Sequence, residues 1–241
     1  MNPVPPRSSP STARAVVLVA ALALLWGSNF LWIKVGLEGL SPVQLTVGRL
    51  ALGALVLLPL LAVRGERLPR DRAVWGHLVM AALLANAAPY LLFAVGEQSV
   101  DSALAGVLNA TTPLWTVAVA LLARHQRRLS VAQGAGLVLG FVGVVVILGV
   151  GTGDRIDVAG ALACLAASAS YGLSYVYISR YLTGRGLPPL VLSTGQLLGA
   201  TALLALVVPV AGLQPVSLSW AVVGAMVALG PLGTGLAFVI N

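Results

Sequence analysis

The chain has 241 residues, 59% of them hydrophobic and 9% charged, with a mean hydropathy of +0.97. A water-soluble domain carries roughly 25% charged residues, so the composition excludes one and points to a membrane protein. The net charge of +7 would suit nucleic acid only if the cations clustered on one soluble face. They lie instead between long apolar runs, and no nucleic-acid partner is expected.

Apolar windows bounded by charge clusters and by Pro or Gly breaks predict an all-α, polytopic bundle of eight transmembrane helices. They fall at 15–36, 42–63, 74–95, 102–123, 131–150, 158–179, 189–209 and 218–240. The proline-rich tail at 1–14 reads as disordered. The first apolar run exceeds the ~7–15 residues of a signal-peptide core, so it reads as a retained span. A polar group inside hydrocarbon is costly and normally faces the bundle interior, which makes the mid-span polar residues the candidate site.

In the first helix Asn29, with Ser28, follows a Trp26-Gly27 break and can hydrogen-bond a substrate or a neighbouring helix. Lys34 lies within a turn of the helix end and reads as a snorkelling side chain. Arg49 sits about seven residues into the second helix, roughly 10 Å down at 1.5 Å per residue. It reads either as a fixed cation for an anionic substrate group or as a structural Arg paired with Glu38 or helix carbonyls. In the third helix Asn86 and Tyr90 flank Pro89, which frees a carbonyl that needs a partner or a wet cavity. Pro113 repeats that combination in the fourth, with Asn109, Thr111 and Thr112 before it and Trp115 after it. In the sixth helix Ser168, Tyr171 and Tyr175 recur at spacings of three and four and share one face. Gln196 in the seventh helix occupies the place that Arg49 holds in the second, so the cavity pairs a cationic wall with a neutral hydrogen-bonding one. His77 reads as interfacial, and Glu97 and Asp101 as loop residues outside the site; with no Asp or Glu in mid-span, nothing points to proton coupling.

Alternate loops carry eleven of the fourteen cations: Arg7 and Arg14; Arg64, Arg67, Arg70 and Arg72; Arg124, Arg127 and Arg128; Arg180 and Arg185. The opposite loops carry only Arg155 and hold Glu38, Glu97, Asp101, Asp154 and Asp157. The positive-inside rule then puts the N-terminus in the cytoplasm, and the localisation expected is the bacterial inner membrane.

The chain also repeats itself. Trp26-Gly27 and Tyr171-Gly172, Trp75 and Trp220, and Phe93 and Phe238 align at one offset of 145, while Gly48-Arg49 and Gly195-Gln196 align at 147. Residues 15–150 then form a first copy of five helices and residues 158–241 the first three helices of a second. An odd number of helices per copy forces the two to enter the membrane from opposite sides, an inverted repeat that places a site near the midplane. Two further spans of roughly 20 residues with their loops would complete the second copy, so the chain reads as a shortened relative or a fragment of a ten-helix protein.

Leu25 to Phe30 with Lys34, Pro42 to Arg49, Ala103 to Pro113 and Gly230 to Phe238 resemble the EamA branch of the drug/metabolite transporter superfamily. The resemblance implies ten helices in two five-helix repeats, with both termini cytoplasmic, and export or exchange of small metabolites such as amino acids. Arg127-Arg128-Leu129-Ser130 departs from the Glu-Arg-Leu-Ser-like turn of that family and puts the role of its Glu in doubt. The expected function is secondary transport of a small polar or amphipathic metabolite by alternating access, with no metal or cofactor. The partners are a small-molecule substrate and the lipid bilayer, and a homodimer is compatible with the Gly136, Gly140 and Gly143 face.

Two other readings stay open. One is a non-transporting fragment or membrane assembly protein. The other, an intramembrane serine protease built on Gly172-Leu173-Ser174-Tyr175, needs a His base that neither His77 nor His125 is placed to provide. With one cysteine, Cys164, and two histidines, neither a disulfide framework nor a Cys/His zinc site can be assembled.

Overall fold

The computed structural model describes residues 12–124, 130–149, 157–211 and 214–240. Residues 1–11 of the expected tail 1–14, the turn with His125, Arg127 and Arg128, and the loop with Asp154 and Arg155 lie outside the described residues; residues 12–14 are not irregular, because helical backbone begins at Thr12. Among the described residues the regular structure is entirely helical. Seven helices are long and apolar enough to cross a membrane: α1 Val16–Gly36, α2 Pro42–Val63, α3 Arg72–Gly96, α4 Ser102–Leu122, α6 Val158–Tyr181, α7 Pro189–Val210 and α8 Trp220–Val239. Between α4 and α6 lies α5, Val131–Gly149, whose apolar stretch is shorter. These are the eight helices that hydropathy predicts, with boundaries within a few residues.

Local chemistry fixes the helix ends. Ser41 accepts from the Gln44 N–H while the Gln44 side chain accepts from the Ser41 N–H, and Pro42 takes the first helical position, where a missing N–H costs nothing. Asp71, Asp157 and Ser219 cap α3, α6 and α8 through their side-chain oxygens. At the far end of α2, Gly65 adopts φ +65°, and the N–H groups of Gly65 and Glu66 close on the carbonyls of Ala62 and Leu61. Glycine meets no steric penalty in that left-handed position.

Helix α2 packs against α7 and α8, and α6 packs against α3 and α4. Buried side chains form one cluster across α1, α3, α4 and α6, including Ile33, Phe93, Leu108 and Cys164, and a second across α2, α3 and α7, including Leu50, Leu57, Ala82 and Leu197. Tyr171 of α6 touches both. Small residues set the crossings: a Cβ on Gly172 would lie 2.7 Å from the main-chain nitrogen of Thr116 in α4. On the outside, Val19, Leu24, Leu55, Leu122 and Leu139 are largely exposed; so broad an apolar exterior suits lipid, not water.

Two helices widen locally. Widened, π-type turns occupy Leu83–Ala87 in α3 and Ala228–Leu236 in α8, and their first residues are 145 apart, the offset of the sequence repeat. The prolines explain the local wiring. Pro89 has no N–H for the Leu84 carbonyl five residues back, and Ser170 of α6 donates its hydroxyl there instead at 2.7 Å. In α4, Pro113 leaves the Asn109 carbonyl free, and Thr112 donates to it at 2.7 Å.

Candidate substrate site

Arg49 lies in the bundle interior with 4% of its surface exposed. Its Nε donates to Thr234 Oγ1 at 3.0 Å, and that hydroxyl donates in turn to the Leu229 carbonyl at 2.8 Å inside the α8 π-type turn. The guanidinium carbon stands 3.9 Å from the centre of the Tyr90 ring, in the geometry of a cation–π contact. Arg49 makes no ion pair within 4.0 Å among the described residues. Pairing with Glu38 is therefore not what holds it. Its two terminal nitrogens make no hydrogen bond to any described residue, so the planar end of the group is available to an anion.

Several of the expected residues touch Arg49, one another or the helix turns beside it. Tyr90 and Tyr171 meet edge to face at 6.5 Å, and Phe93 extends the aromatic wall towards Phe30. Asn86, fully buried within the α3 π-type turn, donates to Gln196 Oε1 of α7 at 3.3 Å, while its own Oδ1 has no partner. Asn29 abuts the α8 turn beside Gly233, and its Oδ1 is likewise buried without a partner. Buried polar atoms normally find partners; two unpartnered amide oxygens, one within the α3 π-type turn and one against that of α8, mark places where a ligand or water can bind.

Other expected residues stand elsewhere. Tyr175, one turn beyond Tyr171, is 55% exposed and lies within electrostatic reach of Tyr90, so it edges the buried cluster and is not part of it. By rotation Tyr175 falls between Ser168 and Tyr171 on the wheel, so its exposure follows from its place further along α6, about 10 Å beyond the buried Ser168, and not from a different face. Asn109 is half-buried and engaged locally with Thr112. Trp115 packs edge to face on Phe141 of α5, with its indole N–H unpartnered.

Two sequence expectations need correction. Lys34 does not snorkel: its Nζ donates to the main-chain oxygens of Glu97 at 2.7 Å and Val100 at 3.1 Å. Glu97 is not a solvated loop residue, because its side chain is completely buried. Thr234 stands outside the residues expected for the site, although its signal was present: a hydroxyl three residues after Pro231 in an otherwise apolar run. His77 stacks on Tyr181 and bonds the Tyr177 hydroxyl at 2.8 Å, near the helix end as expected. Ser174 donates to the Tyr171 carbonyl at 2.7 Å, so neither its hydroxyl nor His77 is arranged as a nucleophile or its base.

Eight apolar helices around a buried polar cluster, with proline-wired turns at its edge, define a multi-pass membrane protein. The chain matches the EamA-like transporter family over residues 13–149, more than half its length, and belongs to that family. It is 27% identical over 226 residues to the uncharacterized transporter YdfC of Bacillus subtilis (strain 168), covering 92% of this chain and 72% of that protein. It is 28% identical over 186 residues to the uncharacterized inner membrane transporter YedA of Escherichia coli (strain K12), covering 77% of this chain and 56% of that protein. A solved crystal structure superposes with a TM-score of 0.66 at 26% identity, covering 95% of this chain and 78% of the other. The chain thus spans little more than half the length of the second relative and about three quarters of the first.

Proposed function

We propose that the chain is the substrate-binding part of a secondary transporter that moves a small polar or amphipathic metabolite, such as an amino acid, across the bacterial inner membrane. The observation that carries this reading is Arg49: a buried guanidinium with no carboxylate partner among the described residues and two uncommitted terminal nitrogens, backed by the Tyr90 ring. A planar cation binds a carboxylate through paired, charge-assisted hydrogen bonds, while the aromatic and amide walls suit the rest of an amphoteric molecule. Alternating access of two inverted copies, 15–150 and 158–241, fits the equal spacing of the π-type turns. The N-terminus faces the cytoplasm on the strength of the arginine distribution.

The test is Arg49→Ala in membrane vesicles. Flux of amino acids should be abolished while the protein still inserts. Flux equal to that of the wild type would remove Arg49 from the site.

A further inference from the structure

The α3–α4 turn holds a carboxyl group that the transport reading does not use. Glu97 directly follows α3, its side chain is fully buried, and its Oε1 has no partner among the described residues. Its Oε2 lies 3.1 Å from Ser102 Oγ, and the same hydroxyl lies 3.0 Å from the Phe30 main-chain oxygen of α1. A serine hydroxyl carries one proton, and a carbonyl can only accept. If Ser102 donates to Phe30, its contact with Glu97 is a hydrogen bond only when the carboxyl holds a proton and donates it. The neutral acid therefore satisfies both contacts with one proton each; the carboxylate would leave two acceptors competing for one.

The cation nearby does not neutralise Glu97. Lys34 commits its ammonium to two main-chain oxygens of the same turn and makes no ion pair within 4.0 Å with any described residue. The other charged or titratable groups facing the carboxyl are Glu38 from the end of α1, Arg49 from α2 and the Cys164 thiol from α6. Burial pushes Glu97 up to about 8, against the lowering influences of Ser102, Lys34 and Arg49. A cleft of about 290 Å³, lined by Lys34, Leu37, Glu38, Glu97 and Gln98, gives the turn a route to solvent.

We propose that Glu97 is a proton-binding site that controls how the ends of α1 and α4 are tied together. With its proton on, Glu97 completes the chain from its carboxyl through Ser102 to Phe30. When the proton leaves to water in the cleft, the carboxylate draws Lys34 from the main-chain oxygens, and α1 exchanges one attachment to the turn for another. That this exchange drives flux rests on the transport reading; proton binding itself does not.

The experiment is an infrared pH titration of the full chain in lipid nanodiscs, following the C=O stretch of protonated carboxyl groups. A band with a midpoint near 8, present in wild type and Glu38→Gln and absent in Glu97→Gln, is the expected result. Lys34→Met should move that midpoint upward, which keeps the test decisive if Glu97→Gln does not fold. Thermal stability gives a second readout. A carboxyl whose folded value is raised loses stability as pH climbs from the ordinary 4.5 towards about 8, and Glu97→Gln should lack that fall. A band titrating in the ordinary carboxylate range, or one unaffected by Glu97→Gln, overturns the proposal. In proteoliposomes, a titrating chain that moves no amino acid overturns only the transport reading, whereas flux indifferent to pH across the midpoint overturns the coupling.

Discussion

Replacing Arg49 by methionine separates a binding role from a structural one. The variant loses a charge-assisted hydrogen bond to Thr234, about 1.5–3 kcal/mol, and a desolvated contact with Tyr90 of about 2 kcal/mol. It also removes a buried charge that has no counter-ion, whose desolvation costs several kcal/mol. Thr234 keeps its bond to the Leu229 carbonyl, so no buried donor is orphaned, and methionine fills most of the space. The opposing contributions are of similar size, and stability should change by no more than about 1 kcal/mol, a shift of ~2–4 °C in Tm for a chain of this length. Substrate binding has no such compensation: an anion deprived of its buried partner loses about 2–5 kcal/mol, a fall of roughly 30-fold or more in affinity. The assay pairs thermal unfolding in detergent with amino-acid counterflow in proteoliposomes, using Leu50→Ala, a core truncation expected to cost about 2–5 kcal/mol, as the structural reference. If Arg49→Met melts as far below wild type as Leu50→Ala, the guanidinium is a strut and the anion-binding reasoning fails.

Ser170→Ala removes the donor to the Leu84 carbonyl and should lower stability by about 1 kcal/mol, seen as a lower Tm, because interhelical hydrogen bonds in membranes are modest. Gly172→Ala would force α4 and α6 apart at Trp115 and Thr116; overpacking of this kind costs about 1–3 kcal/mol, and Gly172→Leu should be worse in the same unfolding assay. Asp157 is held below its usual value of 3.8 by hydrogen bonds from Ser99 and the Ala159 N–H. A depressed carboxylate stabilises the fold above its unfolded value and loses that effect as pH falls through its folded one. The difference in Tm between wild type and Asp157→Ala should therefore be full at neutral pH and close below pH 3.8.

The helices were legible because each span must satisfy one solvent: a run of apolar residues ended by Ser41-Pro42, Asp71 or Asp157 leaves little freedom in where it starts. Arg49 and Gln196 were legible for the same reason, as polar side chains too deep to reach water. The π-type turns were not. Pro89 announces a break in α3, but what repairs it is Ser170, more than eighty residues away on another helix, and no local pattern encodes that meeting. The partner of Arg49 lies 185 residues downstream and was hidden for the same reason. Glu97 misled because a glutamate between Gly96 and Gln98, with Asp101 close by, has the composition of a wet loop. Its burial comes from α1 and α6 closing over the turn, which hydropathy along the chain cannot register.

The π-type turns also bear on how such a bundle can move. Each holds one residue more than a regular coil would, and absorbing it into α geometry would swivel the helix beyond by about 100° without unwinding it. In α8 that swivel would carry Thr234 off the guanidinium; in α3 it would carry Tyr90. The grip on the cation could thus be loosened from either side by a corkscrew step of a single residue.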